Sequence, residues 1–272
     1  MADRNATVYY RGTQFSTREG MVLTIPLSNF DWKTVNGGVP SSIDPASESI
    51  SQLWPFGTRL QYGEKIFRYA GNAAVALDAG KVIQQAALVS GHELDMVTAA
   101  AAVGDTTVTV TPVTTNITAN QYQDGYLFGN DQAGEGINYQ VLSNPAITAT
   151  ATGVLTLKDP IHTAWTSSVQ TGLRKNPYDA VIVVPVTTMT GIPVGVVNKN
   201  VTASYYFWLQ TRGPAAIFGV GSLVAGHNAT MNLTTTAGSV KPDDGNGTLP
   251  VIGRVMTVAV TTEHSLIFVT LE

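Results

Sequence analysis

Acid–base or metal chemistry in this chain would have to come from four histidines and a scatter of carboxylates. His92, His162, His227 and His264 each stand alone in sequence. The stretch "HELDM" lacks the second histidine that a helical zinc-protease motif places four residues after the first. Ser222 follows Gly221 directly, with Val220 two places before it and Val224 two places after, so no Gly-x-Ser-x-Gly elbow forms around it. "GVGSLVAG" holds only part of a dinucleotide glycine pattern and reads as strand and turn glycine. The densest carboxylates, Asp124, Asp131 and Glu135 in "QDGYLFGNDQAGEG", would suit glycoside hydrolysis or calcium. Their spacing misses the twelve-residue calcium loop, and Asp124 and Glu135 each precede a glycine, as turn residues do. The expectation is a protein that catalyses nothing, with no cofactor and no metal.

The elements that would have to position such groups are strands. Residues 104–113, "GDTTVTVTPV", put Thr107, Thr109 and Thr111 on one side of an extended segment and Val108 and Val110 on the other. One face is apolar and the other polar but uncharged, where a solvent face would ordinarily carry Lys and Glu. The whole chain follows that trend. Of its 272 residues 44% are hydrophobic and only 12% charged, against an ordinary charged share of about 25%. Such weakly charged surfaces suit assembly. A net charge of −4 supplies no basic footprint for nucleic acid. No apolar run approaches the ~18 residues of a membrane-spanning helix, and the start lacks the apolar core of a secretory signal. There is no cysteine, hence no disulfide framework.

From Phe56 onward, short hydrophobic runs such as "KIFRYAGN", "TTVTVTPV", "YDAVIVVPV", "YYFWLQT" and "SLIFVTLE" alternate with Gly, Pro, Asn and Asp. That pattern predicts an all-β fold, a sandwich or barrel-like β domain or domains, divided as residues 56–175 and 176–272. In "YYFWLQT", Tyr206 and Trp208 should share one face and Tyr205, Phe207 and Leu209 the other. Residues 79–102, rich in Ala, Gln and Leu, are the one stretch with helical propensity; Gly91 interrupts it, which limits it to one or two short turns. "NITANQY" (116–122) and "NVTASYY" (200–206) match in type at successive offsets, which suggests one turn-into-strand device used twice.

Residues 1–55 differ. Their aromatics are far apart and a turn-rich passage, "NGGVPSSIDPASES", crosses them, so they read as an extended amino-terminal arm laid over a neighbouring surface. Aromatic residues and arginine dominate interface energies, so the expected partner contacts are Tyr9, Tyr10, Arg11, Phe15, Trp32 and Trp54.

The order of several segments also carries a resemblance. "LDAGKVIQQAALVSGHELDM", "AAAAVGDTTVTVTPVTTNITANQYQDGYLFGNDQAGEGINYQVLSNPA", "LTLKDPI", "NPYDAVIV", "VGVVNKNVTASYYFWLQTRGPAAIF" and "VIGRV", in that succession, resemble a family of virion structural proteins of tailed bacteriophages. The likeness covers about residues 56–272 and rests on order rather than on any chemically diagnostic motif. It implies a β-rich capsid decoration, or cement, protein on the capsid exterior. Such a protein binds the major capsid protein and itself, as a homotrimer, and touches neither nucleic acid nor membrane. Two other readings stay open on the residues: an adhesive or receptor-binding β module of a tail or fibre, and a glycan-cleaving enzyme using Asp124, Asp131 or Glu135.

Overall fold

The computed structural model describes residues 13–17, 20–38, 40, 42–132 and 134–272. The chain is all-β, with strands in antiparallel sheets and a single short helix among the described residues. It divides into two compact units: Ala87–Asn176 forms one, and Met1–Ala86 together with Pro177–Glu272 forms the other. This differs from the three-part division expected above. The boundary near residue 176 coincides, but residues 56–86 belong with the carboxy-terminal half, and so does the described part of the segment taken for an arm. The barrel is thus an insertion into a discontinuous unit, an arrangement that only pairings distant in sequence reveal.

In the discontinuous unit, the strand Tyr206–Phe218 is the axis of the sheet. It pairs antiparallel with Lys65–Gly71 along its first half and with His264–Thr270 along its second. The pairing shifts register between Gln210 and Arg212, just before Gly213 and Pro214. Gly213 has φ +89°, and a Cβ there would come within 2.8 Å of the Glu64 carbonyl, so both conformation and space demand glycine. The alternation read from the sequence holds. Tyr206 and Trp208 face a cluster with Tyr69, Leu60 and Trp54, while Tyr205, Phe207 and Leu209 face a second cluster with Leu77, Ile83 and Val201.

The described part of residues 1–55 lies on this sheet. Thr13–Ser16 pairs with Val22–Ile25, which pairs with Arg59–Tyr62, and Glu48–Ser49 pairs with the long strand. The single helix, Trp32–Asn36, also falls here. Asp31 caps it by accepting hydrogen bonds from the Thr34 amide (3.2 Å) and hydroxyl (2.6 Å), and Gly37 ends it at φ +64°. Residues 79–102, where propensity allowed helical turns, instead hold the strands Val82–Gln84 and Met96–Thr98. Gly80 and Gly91 take positive φ there, and sheet pairing overrides the preference of Ala and Gln.

The inserted unit is a closed six-stranded antiparallel barrel, in ring order Asn138–Ser143, Gly153–Leu157, Thr107–Thr111, Met96–Thr98, Gln170–Arg174 and Tyr126–Asp131. Closure removes exposed sheet edges. Its pairing has an internal two-fold pattern. Taken in chain order as two halves of three strands, the first and second strands of each half pair, the two second strands pair, the two third strands pair, and each third strand pairs with the other half's first. Val108, Val110, Leu127, Tyr139, Val141, Leu155 and Leu173 fill the interior.

One local device recurs in both units. Four isolated antiparallel bridges join Leu77 to Val201, Leu223 to Ala259, Ala101 to Trp165 and Ile117 to Ile147, and all eight residues are buried. Each bridge residue is followed by a turn and then a strand; the turn is two residues long except after Ile117, where it runs on through Asp124. The third residue after the bridge residue has positive φ in every case but Ser168: Gly80, Gly104, Asn120, Thr150, Ser204, Gly226 and Thr262. The resemblance between "NITANQY" and "NVTASYY" is two copies of this device. Asn116 Oδ1 accepts from the Ala149 amide at 2.8 Å, and Asn200 Oδ1 accepts from the Ala79 amide at 2.9 Å, in each case two residues past the opposing bridge residue. Replacing either Asn by Ala should cost about 1 kcal/mol in urea unfolding, the worth of one such hydrogen bond. Thr150 and Thr262 are β-branched residues held at φ +65° and +67°, a conformation glycine adopts freely. Thr150→Gly and Thr262→Gly should each raise stability by up to about 1 kcal/mol, read as a higher urea midpoint at unchanged slope.

Candidate interaction surface

The barrel shows which way the alternating threonines point. Val108 and Val110 point into the core, and Thr107, Thr109 and Thr111 point outward. Register sets their neighbours: Thr111 lies opposite Val97, Thr109 opposite Val154, and Thr107 opposite Thr156. Val97 and Val154 are 57% and 49% exposed. The three strands so joined carry no charged residue, and across all six barrel strands the charged side chains are Asp131 and Arg174 alone. The result is a surface of methyls and hydroxyls, cheap to strip of water because these strands present no ion to desolvate.

The discontinuous unit exposes a second apolar surface by the same alternation. Leu223 and Ala259 bridge inward, which turns Val224, Val258 and Val260 outward beside exposed Met256 and Leu266. Main-chain hydrogen bonds, Met256 N–H to Leu266 O at 2.8 Å and Leu223 N–H to Ala259 O at 3.1 Å, hold these segments together. Elsewhere in this unit Pro45, Ala46, Tyr62, Lys65, Phe67 and Asn198 line an open groove of about 340 Å³.

The residues expected to meet a partner are placed differently. Tyr9, Tyr10 and Arg11 lie outside the described residues. Trp32 and Trp54 are each only 3% exposed and stack on one another at 5.6 Å, so their surface is spent on the chain's own core. Phe15, half-buried, packs edge-on against Trp32 at 5.7 Å. The correction has a simple cause. The strands Arg59–Tyr62 and Lys65–Gly71 present Leu60, Phe67 and Tyr69 on one face, and the aromatics of residues 15–54 cover it.

Of the residues considered for chemistry, His92 and Asp124 are occupied in buried contacts and the others are exposed. His92 is fully buried, with Nε2 2.7 Å from the Thr115 carbonyl and Nδ1 2.7 Å from the Tyr122 hydroxyl. A carbonyl only accepts, so Nε2 carries the proton and, in the neutral ring, Nδ1 accepts from Tyr122. His162, His227 and His264 are exposed, and no two histidines are brought together by any of these contacts. Asp131, at the end of its barrel strand, and Glu135, in the segment that follows, are exposed, whereas Asp124 is buried against Lys158, whose Nζ donates to Asp124 Oδ1 at 2.6 Å. The sequence reading missed Lys158, because nothing local ties it to a residue 34 positions earlier. No group of three or more His, Asp or Glu side chains able to hold a metal occurs among the described residues. Nor is any described helix long and apolar enough to cross a membrane.

A charged cluster secures the discontinuous unit's sheet. Glu272 accepts from Arg59 Nε at 2.9 Å, from both Nη2 (2.6 Å) and Nε (3.0 Å) of Arg68, and from the Thr211 hydroxyl at 2.9 Å. Arg212 is exposed, and its Nη1 donates to the Glu272 main-chain oxygen at 3.4 Å. Burial opposes ionisation of Glu272, yet hydrogen bonds and charge from Arg68, with hydrogen bonds from Thr211 and Arg59, hold its carboxyl below the ordinary value of 4.5. A depressed carboxyl contributes its stability above the unfolded value and loses it as pH falls through the folded one. Glu272→Gln should therefore cost about 1 kcal/mol at pH 7, a modest figure because the pair is partly solvated. The gap from the unaltered protein should close as urea titrations are repeated toward pH 3.

Searches against family models, curated proteins and solved structures give no match to this chain.

Proposed function

We propose that this chain is a capsid decoration protein. In this reading it binds the outer surface of a phage head as a homotrimer and stabilises the shell by bridging capsomers, without catalysis. The observation that carries the reading is the uncharged stretch of the barrel's outer face made by three joined strands, where Val97 and Val154 flank the outward threonines of residues 107–111. A closed barrel is rigid, and broad neutral faces bury area at little desolvation cost. Repetition around a symmetry axis multiplies each weak attachment into firm binding. The ordered resemblance to tailed-phage virion proteins points the same way.

Quantitative mass spectrometry of purified virions whose genome encodes this chain tests the reading. A fixed ratio to the major capsid protein, at hundreds of copies per particle, is expected for symmetric decoration. A handful of copies that remain with detached tails would overturn it. A second reading, a receptor-binding module of a tail or fibre, draws on the groove of Tyr62, Phe67, Lys65 and Asn198, since aromatic walls with a few polar groups suit a glycan or peptide. Binding on a glycan array, abolished by Tyr62→Ala and absent for empty shells, would favour it.

A further inference from the structure

The buried pair Lys158–Asp124 brings an amine and a carboxylate into direct contact. Nζ lies 2.6 Å from Oδ1, and the two side chains are 1% and 6% exposed. Their main chains are fixed by shared partners. The Asp124 amide donates to the Val141 carbonyl at 2.9 Å, and Asp124, at φ +60°, accepts on its own carbonyl from Asn176 Nδ2 at 3.2 Å and Gln140 Nε2 at 3.3 Å. Gln140 also accepts the Lys158 amide on its main-chain oxygen at 2.8 Å, so one residue positions both members of the pair.

From this arrangement we propose that the barrel carries an intramolecular isopeptide bond between Lys158 and Asp124. Movement of one proton along the Nζ–Oδ1 hydrogen bond converts the ion pair into a neutral amine and a carboxylic acid. The Nζ lone pair then attacks Cγ, the Nζ–Cγ bond forms, an amine proton passes to the departing hydroxyl, and the Cγ–OH bond breaks with loss of one water. Atoms balance with no oxidant, reductant or activating group. Groups held this close act at effective concentrations of about 10⁵ M or more, which offsets the ordinary preference of amides for hydrolysis in dilute solution. The product staples the turn before Tyr126–Asp131 to the end of Gly153–Leu157, a covalent ring through the barrel that suits a protein under mechanical load. The inference does not depend on the decoration reading, since any use of the barrel is compatible with it.

Intact-mass measurement of the purified full-length chain decides the matter. The expected mass is one water below the sequence mass in most molecules, and digestion should release a branched peptide joining the segments around 124 and 158. Because Asp124 precedes Gly125, a succinimide would also lose one water, but it yields a linear peptide and reopens in mild base. Lys158→Arg keeps a cation at the site without the amine and should restore the full mass. A folded, unaltered protein at full sequence mass after prolonged incubation, or a water loss traced to a linear peptide, would overturn the proposal.

Discussion

Replacing Val97 and Val154 together by glutamate is expected to leave a folded protein that no longer attaches to assembled shells. Both side chains point away from the barrel core, and their strand neighbours Thr111 and Thr109 make no ion pair that the new carboxylates would disturb. Stability should therefore move by no more than about 0.5 kcal/mol, the usual range for exposed positions. Binding is another matter. Each carboxylate would be trapped without a partner against a surface built for methyls and hydroxyls, and stripping it of water is costly. A loss of at least about 100-fold in affinity, or roughly 3 kcal/mol, should appear in co-sedimentation with shells that lack their own copies of the chain. Undiminished binding by the folded double variant would remove this face from the interface.

The second large effect is expected at Trp32. Its indole is enclosed between Phe15 and Trp54, so Trp32→Ala should cost about 3–5 kcal/mol in urea unfolding, as for other large-to-small changes in packed interiors. Trp54→Ala should be comparable. A docking arm would behave in the opposite way, with stability untouched and only partner binding weakened. The two outcomes separate a core segment from an interface segment in a single titration.

Why one part of this molecule was readable in sequence and another was not comes down to the range of the forces involved. The Thr/Val alternation of residues 107–111 and the two-faced pattern of "YYFWLQT" are local, because strand parity alone assigns each side chain to a face. The two copies of the asparagine turn could be seen for the same reason. Their bridging partners could not, since Leu77 and Val201 meet only after the whole barrel has intervened in sequence. The fate of Trp32 and Trp54 was equally hidden. Scattered aromatics fit an arm on a neighbour and a lid on the chain's own sheet equally well, and the choice is made by Leu60, Phe67 and Tyr69, strands that expose an apolar face needing cover. Helical propensity in residues 79–102 gave way to sheet pairing. Lys158 drew no notice because an isolated lysine is ordinarily a solvated one, and only barrel closure buries it against Asp124.

The most direct measurement is a residue-resolution density map of intact virions. Broad, neutral β surfaces pressed against a protein lattice would place the chain in regular array over the head, with Val97, Thr109 and Val154 turned to a neighbouring subunit. Density for it confined to the tail tip, or arrayed copies whose barrel face stands open to water, would contradict that picture.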